Sequence, residues 1–351
     1  MARRADERPR NILLTRFSAL GDVAMTIPVV YSACAANPGC EFYYLTRRAP
    51  AGLMLEPPPN LHVLPVDTAD YRGVRGLARL VSEVVSKYRI EGYADLHNVL
   101  RTRVMGLFMR LRGIPVVHLR KGRRRRNALT RRHNKVMMPL TSMRARYREV
   151  FFRLGLGYRG TFRGFWADTP PDPAVYARAT PPRRQGETWI GIAPFAKHRG
   201  KIYPEELMVR VVRELARRPG YRVFLFGAGA HEANTLGRWA LAADNLVKMA
   251  GPGLGFEAEL SLLHACDAVI SMDSANMHLA SLVGTRVVSV WGATHPFCGF
   301  LGWHQSKQDV VSLDMVCRPC STFGNKPCRR ADFHCMYGIP PSLVLKTLDR
   351  K

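Results

Sequence analysis

The sequence predicts an α/β protein made of two doubly wound halves, each built on a parallel sheet. Short apolar runs alternate with segments of helical spacing along most of the chain, which is typical of parallel strands covered by helices. The alternation stops at a proline-rich segment, 169–187, and starts again after it. With 351 residues, the chain is long enough for two cores. We therefore predict an N-terminal domain at 1–168, a linker at 169–187 and a C-terminal domain at 188–351.

In the first half, short apolar runs between polar turns indicate strands. These strands are predicted at 11–16, 41–46, 61–66, 93–97 and 115–118. Helices are predicted at 23–36, 73–87, 101–112 and 144–154. Segment 73–87 is the clearest helix, because its leucines and valines recur on one face.

The second half repeats this pattern. Strands are predicted at 188–193, 221–226, 267–271 and 286–291, and helices at 204–218, from about 232, at 260–266 and at 273–283. Ligands of such folds bind at the carboxyl ends of the strands, so we expect the site to face a cleft between the domains.

Charge is the main compositional signal. The chain carries 53 Lys and Arg against 27 Asp and Glu, a formal net charge of +26. Such a field favours an anionic partner, whether nucleic acid, an anionic membrane or a charged substrate. The polar N-terminus lacks a secretory h-region, no apolar run reaches ~18 residues, and the eight cysteines suit a reducing compartment. A cytoplasmic location is therefore expected.

The segment 271–296 predicts an anion site. Asp273 and Ser274 stand between a strand and a helix, where side-chain oxygens cap helices and where helix N-termini bind phosphate. His278 follows Ser274 by four residues and so projects toward the same end. An ordinary helix cap with a buried histidine is the alternative.

Two further loops are predicted at the same edge of the second sheet. One carries Lys201 after the strand at 188–193, and the other is the turn Gly227–Gly229. Lys201 either binds a diphosphate or is a solvated surface cation. The glycines either admit a nucleotide or form a tight turn. The sequence contains no Asp-X-Asp, a common means of holding a metal ion against a sugar-nucleotide diphosphate.

Asp22 follows the first strand of the first half. A carboxylate at a strand's carboxyl end can act as a general base. The same carboxylate also suits the N-terminus of the helix that follows it. The sequence leaves both roles open.

Several motifs resemble one known family. Leu14 to Pro28, Asp95 to Arg103, Met272 to Ala280 and Val290 to Pro296 are similar to successive motifs of the lipopolysaccharide heptosyltransferases, glycosyltransferase family 9, in the family's order. The resemblance implies a GT-B fold of two Rossmann-like domains. It also implies inverting, metal-independent transfer of heptose from ADP-heptose to a lipid A–Kdo acceptor, with no cofactor.

The resemblance also assigns residues. Asp22 corresponds to the catalytic base and Lys201 to a phosphate-binding lysine. The donor-site positions are Gly227, Glu232, Asp273, Ser274, Ala275, Asn276 and His278. Ala196 and Lys197 stand where hydroxyl residues often contact the diphosphate, so another nucleotide sugar is the alternative donor.

The run of basic residues from 120 to 135 is interpreted as a mobile loop on the acceptor side of the first domain. The predicted acceptor-binding residues are Arg101, Arg120, Arg123, Arg124, Arg125 and Arg126. Their partner would be the anionic acceptor at the inner face of the cytoplasmic membrane, with the protein bound peripherally. A basic nucleic-acid-binding protein is the alternative from a different class, but no helix-turn-helix or aromatic RNA motif supports it.

Four cysteines near the C-terminus, Cys317, Cys320, Cys328 and Cys335, form a possible structural metal cluster. The first pair has zinc-knuckle spacing, but the wider gaps are less typical. Reduced thiols packing a C-terminal loop are the alternative, and no catalytic metal is expected.

Overall fold

The computed structural model describes residues 9–249 and 254–350. The chain forms two compact units. The N-terminal unit contains residues up to 122 together with 141–163, and the C-terminal unit contains 123–140 together with 164 onward. Each unit is built on one parallel sheet, as the sequence predicts.

The described residues form eleven strands. They are β1 Asn11–Thr15, β2 Glu41–Arg47, β3 Leu61–Val66, β4 Gly92–Asp95, β5 Val116–His118, β6 Thr188–Ala193, β7 Tyr221–Leu225, β8 Leu246–Lys248, β9 Ala268–Met272, β10 Val287–Val290 and β11 Val310–Val311. The N-terminal sheet has the order β3-β2-β1-β4-β5 and the C-terminal sheet the order β11-β10-β9-β6-β7-β8. All pairings are parallel, and each sheet reverses its winding beside its central strands.

Helices connect these strands. They are α1 Leu20–Ala36, α2 Arg48–Ala51, α3 Gly73–Tyr88, α4 Leu100–Leu111, α5 Arg123–Thr130, α6 Met143–Arg153, α7 Glu205–Ala216, α8 Gly229–Ala240, α9 Gly255–Ala265, α10 Ala275–Leu282, α11 His334–Tyr337 and α12 Pro341–Leu348. Short 3₁₀ turns lie at Pro173–Tyr176, Arg199–Lys201, Pro296–Cys298 and Lys307–Asp309.

The N-terminal core forms where the helices cover the sheet. Leu77, Leu80, Val81 and Val84 of α3 are buried, as their spacing predicts, and they pack with Leu13 of β1 in one cluster. Helix α1 is buried along most of its length and continues through Pro28.

The C-terminal core is formed in the same way. Strand β9 is buried at every position, which agrees with its largely apolar sequence. Helix α7 buries Met208, Val211, Val212 and Leu215, which recur at helical spacing. Pro204 is the N-cap of this helix, so the helix begins at Glu205, one residue after its predicted start.

The proline-rich segment differs from the predicted linker. Residues from Gly164 onward belong to the C-terminal unit. Tyr176 is buried there against the ring of Trp189, and the Thr180 hydroxyl accepts a hydrogen bond from Arg222 at 2.7 Å. These contacts hold the segment against the second core.

No helix in the described part of the chain combines the length and the apolar composition that crossing a bilayer requires.

Candidate functional site

The carboxyl edge of the C-terminal sheet brings together residues that follow three of its strands. Strand β6 leads into the loop that ends at Lys201, β9 leads to Asp273 and Ser274, and β10 leads to Thr294. Parallel strands end at one edge of their sheet, so residues far apart in sequence meet there.

Lys201 and Asp273 form an ion pair in this site. The Lys201 Nζ lies 2.8 Å from Asp273 Oδ2, and the Thr294 hydroxyl donates to the same oxygen at 2.8 Å. Asp273 is 2% exposed, so its charge depends on these two partners. The pairing fixes the Lys201 ammonium at the edge of the sheet, where it can also contact an anion.

The start of α10 lies beside this pair. Ser274 is the N-cap, as predicted, but its hydroxyl makes no capping bond and lies 3.4 Å from the hydroxyl of Ser271. Ala275 and Asn276 form the half-buried first turn, and His278 is 7% exposed. The backbone donors of a helix start and its dipole both favour an anion here.

The turn after β7 completes this edge. The Glu232 carboxylate accepts a hydrogen bond from the backbone N–H of Ala228 at 2.8 Å. A Cβ on Gly227 would lie 2.9 Å from the Leu236 side chain and 3.1 Å from the Glu232 carboxylate. Gly227 therefore allows close packing of the turn, with a partly buried carboxylate beside it.

Asp22 lies at the carboxyl edge of the N-terminal sheet. It stands in the first turn of α1, where Oδ2 accepts from the Ala19 N–H at 3.2 Å. The same oxygen is 2.5 Å from a guanidinium nitrogen of Arg16, which is buried directly after β1. Asp22 therefore does cap its helix, and its side chain remains 29% exposed.

Arg16 is a site residue that the sequence analysis missed. Its guanidinium also donates to the Leu96 carbonyl at 2.9 Å, which links β1 to the end of β4. Burial and the positive charge of Arg16 lower the pKa of the neighbouring His97 to about 4. The only local signal was an arginine at the end of an apolar run.

Asp95 organises the end of β4 and was also missed. Its fully buried carboxylate accepts from the Thr102 hydroxyl at 2.9 Å and from the backbone N–H groups of His97 and Asn98 at 2.9 and 2.7 Å. His118 Nδ1 lies 2.7 Å from the same carboxylate. These contacts give Asp95 a structural role in joining β4, α4 and β5.

The basic run does not form the mobile loop that we predicted. Residues 123–130 are helix α5, and 123–140 belong to the C-terminal unit. Leu129 is fully buried, Arg126 lies over the ring of Phe323, and Lys135 Nζ donates to the carbonyls of Cys317 and Pro319 at 2.5 and 2.8 Å. Such contacts with a distant part of the chain explain the difference.

The predicted acceptor-binding arginines are therefore divided between the units. Arg101 lies on α4 and Arg120 pairs with Glu149 at 3.0 Å, both in the N-terminal unit. Arg123, Arg124 and Arg125 are exposed on α5 of the C-terminal unit.

The four C-terminal cysteines, Cys317, Cys320, Cys328 and Cys335, line one small cavity of about 10 Å³. They are free thiols. Burial raises the pKa of Cys335 to about 11 and also raises the pKa of Cys320. Within 9–249 and 254–350, no three His, Cys, Asp or Glu residues are arranged so that they could hold a metal ion.

Comparison with known families gives a match to the model of glycosyltransferase family 9 (heptosyltransferase) over residues 95–327. This range is about two thirds of the chain. It includes the end of β4, helix α5 and the whole edge formed around Lys201 and Asp273.

Individual relatives extend the similarity over most of the chain. Lipopolysaccharide heptosyltransferase 1 of Pseudomonas aeruginosa is 25% identical over 328 residues, which cover 88% of this chain and 85% of the relative. A glycosyl transferase of family 9 from Veillonella parvula superposes with a TM-score of 0.73 at 16% identity, covering 97% and 96% of the two chains. ADP-heptose LPS heptosyltransferase II of E. coli superposes with a TM-score of 0.67 at 18% identity, covering 97% of each chain.

Proposed function

Because the chain belongs to glycosyltransferase family 9 (heptosyltransferase), we propose that it transfers a heptose from ADP-heptose to the lipid A–Kdo inner core of lipopolysaccharide. The proposed transfer inverts the anomeric centre and needs no metal ion. The names of the P. aeruginosa and E. coli relatives support this donor and this acceptor class.

The ion pair of Lys201 with the buried Asp273 carries the donor part of the proposal. An anion bound beside the ammonium would also meet the first-turn amides of α10. Both groups stabilise the charge that develops on the leaving ADP. Glu232, at the neighbouring turn, is proposed to accept hydrogen bonds from the donor ribose.

Asp22 carries the acceptor part. In the proposed reaction, its carboxylate removes the proton of the acceptor hydroxyl as that oxygen attacks the anomeric carbon of the heptose. The bond from that carbon to the ADP oxygen breaks, and attack on the opposite face gives inversion. Arg16 holds the carboxylate in place through the 2.5 Å ion pair.

Metal independence is supported by the lack of a common metal-binding motif and by protein groups that can neutralise a diphosphate in its place. No Asp-X-Asp is present, whereas a lysine and a helix start lie together at the edge where the diphosphate is proposed to bind. The acceptor's phosphates and carboxylates also suit a protein of net charge +26. Peripheral contact with the inner face of the cytoplasmic membrane follows from this acceptor.

The test is transfer by the purified protein from ADP-heptose to Kdo-lipid A in the presence of EDTA, with the anomeric configuration of the product read by NMR. Asp22→Asn should lower turnover by roughly 10²–10⁴-fold, because the amide cannot take the proton. The affinity for ADP should stay unchanged in this variant. Near wild-type turnover of Asp22→Asn would refute the base role, and transfer only with added Mg²⁺ would refute metal independence.

A further inference from the structure

A strip of large apolar side chains is exposed on the C-terminal unit beside the basic run. Val136, Met137 and Met138 are 43%, 46% and 66% exposed, and Val316 is 96% exposed. Met137 and Val316 line the same cavity of about 670 Å³, so the two parts of the strip are neighbours in the fold. Large apolar side chains that are exposed side by side are typical of interaction surfaces.

Cations surround this apolar strip. Arg131 and Arg132 are exposed just before it, and His133 and Lys135 follow within the same segment. The range 123–140 contains seven Arg and Lys residues and no Asp or Glu. Asp314 is the acidic residue among those that line the cavity. Exposed apolar side chains with basic residues around them are typical of segments that lie in the interfacial layer of an anionic bilayer.

The strip is held on a fixed base. Lys135 Nζ donates to two carbonyls of 317–319, the Leu140 N–H donates to the Phe297 carbonyl at 2.8 Å, and Arg329 donates to the Thr130 carbonyl at 2.6 Å. The backbone on either side of 136–138 is thus tied to the C-terminal unit while the apolar tips face outward. This arrangement presents the tips without requiring a new fold on binding.

We propose that Val136, Met137, Met138 and Val316 insert into the interfacial layer of an anionic membrane, while Arg131 and Arg132 contact its lipid phosphates. The choice of a membrane rests on the proposed function, whose acceptor is a lipid. None of these six residues is given a role in the proposed transfer reaction. A second copy of this chain would bring like charges together, and a nucleic acid would leave the apolar tips without a partner.

The experiment is co-sedimentation of the full-length protein with vesicles of phosphatidylcholine, alone or mixed with phosphatidylglycerol. Neither donor nor acceptor is present, so the outcome does not depend on transfer. One variant combines Met137→Ser, Met138→Ser and Val316→Ser, and another combines Arg131→Ser with Arg132→Ser. The matched controls in the same unit are Leu241→Ser, at a position 88% exposed, and the pair Arg178→Ser with Arg184→Ser.

We expect binding to the mixed vesicles and weak binding to phosphatidylcholine alone. The arginine variant should lose roughly 30-fold in affinity, since each basic residue near an anionic leaflet contributes a factor of about five, and this loss should shrink as salt rises. The apolar variant should lose about tenfold or more at every salt concentration. Both controls should bind like the wild type, with all thermal midpoints unchanged.

Wild-type binding by the apolar variant would overturn the proposal. A second outcome would also overturn it: the arginine variant loses duplex DNA binding and vesicle binding equally, and the apolar variant loses neither. The surface would then be a general site for polyanions. Failure of transfer with intact vesicle binding would contradict the proposed function and leave this surface standing.

Discussion

At the scale of single residues, Lys201 is held by an ion pair with Asp273, whose carboxylate also accepts a hydrogen bond from Thr294. Removing its ammonium would withdraw a charge-assisted contact to phosphate, worth roughly 1.5–3 kcal/mol. We therefore predict that Lys201→Ala weakens ADP binding by about 10–100-fold, measured by calorimetry. The substitution also leaves Asp273 buried without its ammonium partner, which should lower the thermal midpoint.

A paired change separates these two effects. Lys201→Met combined with Asp273→Asn removes both charges, so stability should recover toward that of the wild type. ADP affinity should stay low, because the ammonium is still missing. Recovery of ADP affinity in the double variant would contradict a direct contact between Lys201 and the donor.

The sequence predicted which residues share this edge better than it predicted what they do. Lys201, Gly227 and Ser274 meet there because parallel topology fixes where strands end. Asp273 was expected to cap α10 or to lie in the donor site, and the structure shows it paired with Lys201 and accepting a hydrogen bond from Thr294. Thr294 lies 21 residues further along the chain, and no local pattern connects it to Asp273.

At the scale of elements, strong periodicity gave reliable predictions. The predicted strands 61–66 and 188–193 have the observed bounds, and α3 extends one residue beyond its predicted end. The short strands β8 and β11, of three and two residues, were missed.

Helix α5 was missed for a different reason. Its four successive arginines show no apolar periodicity, and its support comes from Phe323 and Arg329, almost 200 residues away in sequence. Charge repulsion argued for a mobile loop, but burial of Leu129 and these tertiary contacts override that local tendency.

The prediction at this scale concerns the exposed arginines of α5. Changing Arg123, Arg124 and Arg125 to serine should raise the acceptor KM several-fold at low salt, because exposed cations attract the acceptor's phosphates and carboxylates. The increase should fade with rising salt. Arg126 is left unchanged because it packs over Phe323. Steady-state kinetics with varied Kdo-lipid A would measure the effect.

ADP affinity is the necessary control for this variant, because α5 and the proposed donor site belong to the same unit. Unchanged ADP affinity with a raised acceptor KM is the expected combination. An unchanged acceptor KM at low salt would remove these arginines from the acceptor site.

At the scale of the whole molecule, composition predicted two units but not their boundaries. The proline-rich segment marked a change of domain, yet it packs with the second core through Tyr176 and Thr180. The return of 123–140 to the C-terminal unit had no compositional signal. Contacts between segments that are distant in sequence determine which unit 123–140 joins.

Each unit also contains a histidine that the fold keeps neutral. Burial, together with Arg16, lowers the pKa of His97 to about 4. Burial, together with Arg318, lowers the pKa of His295 to about 4, and His295 Nδ1 accepts a hydrogen bond from the Phe297 N–H at 3.0 Å. A protonated ring could not accept that bond.

These two histidines predict how stability depends on pH. An unfolded histidine takes up a proton below about pH 6.5, whereas the folded pKa is about 4, so the unfolded state binds more protons between these values. The free energy of unfolding should therefore fall as the pH is lowered from about 6.5 to about 4. Combining His97→Gln with His295→Gln should make this fall shallower, even if loss of the hydrogen bond from the Phe297 N–H to His295 lowers stability at pH 7.

Thermal midpoints across this pH range would measure the slope, with His231→Gln, at an exposed position, as the control. The same slope in the double variant and the wild type would show that other groups, such as the carboxylates, determine the acid sensitivity.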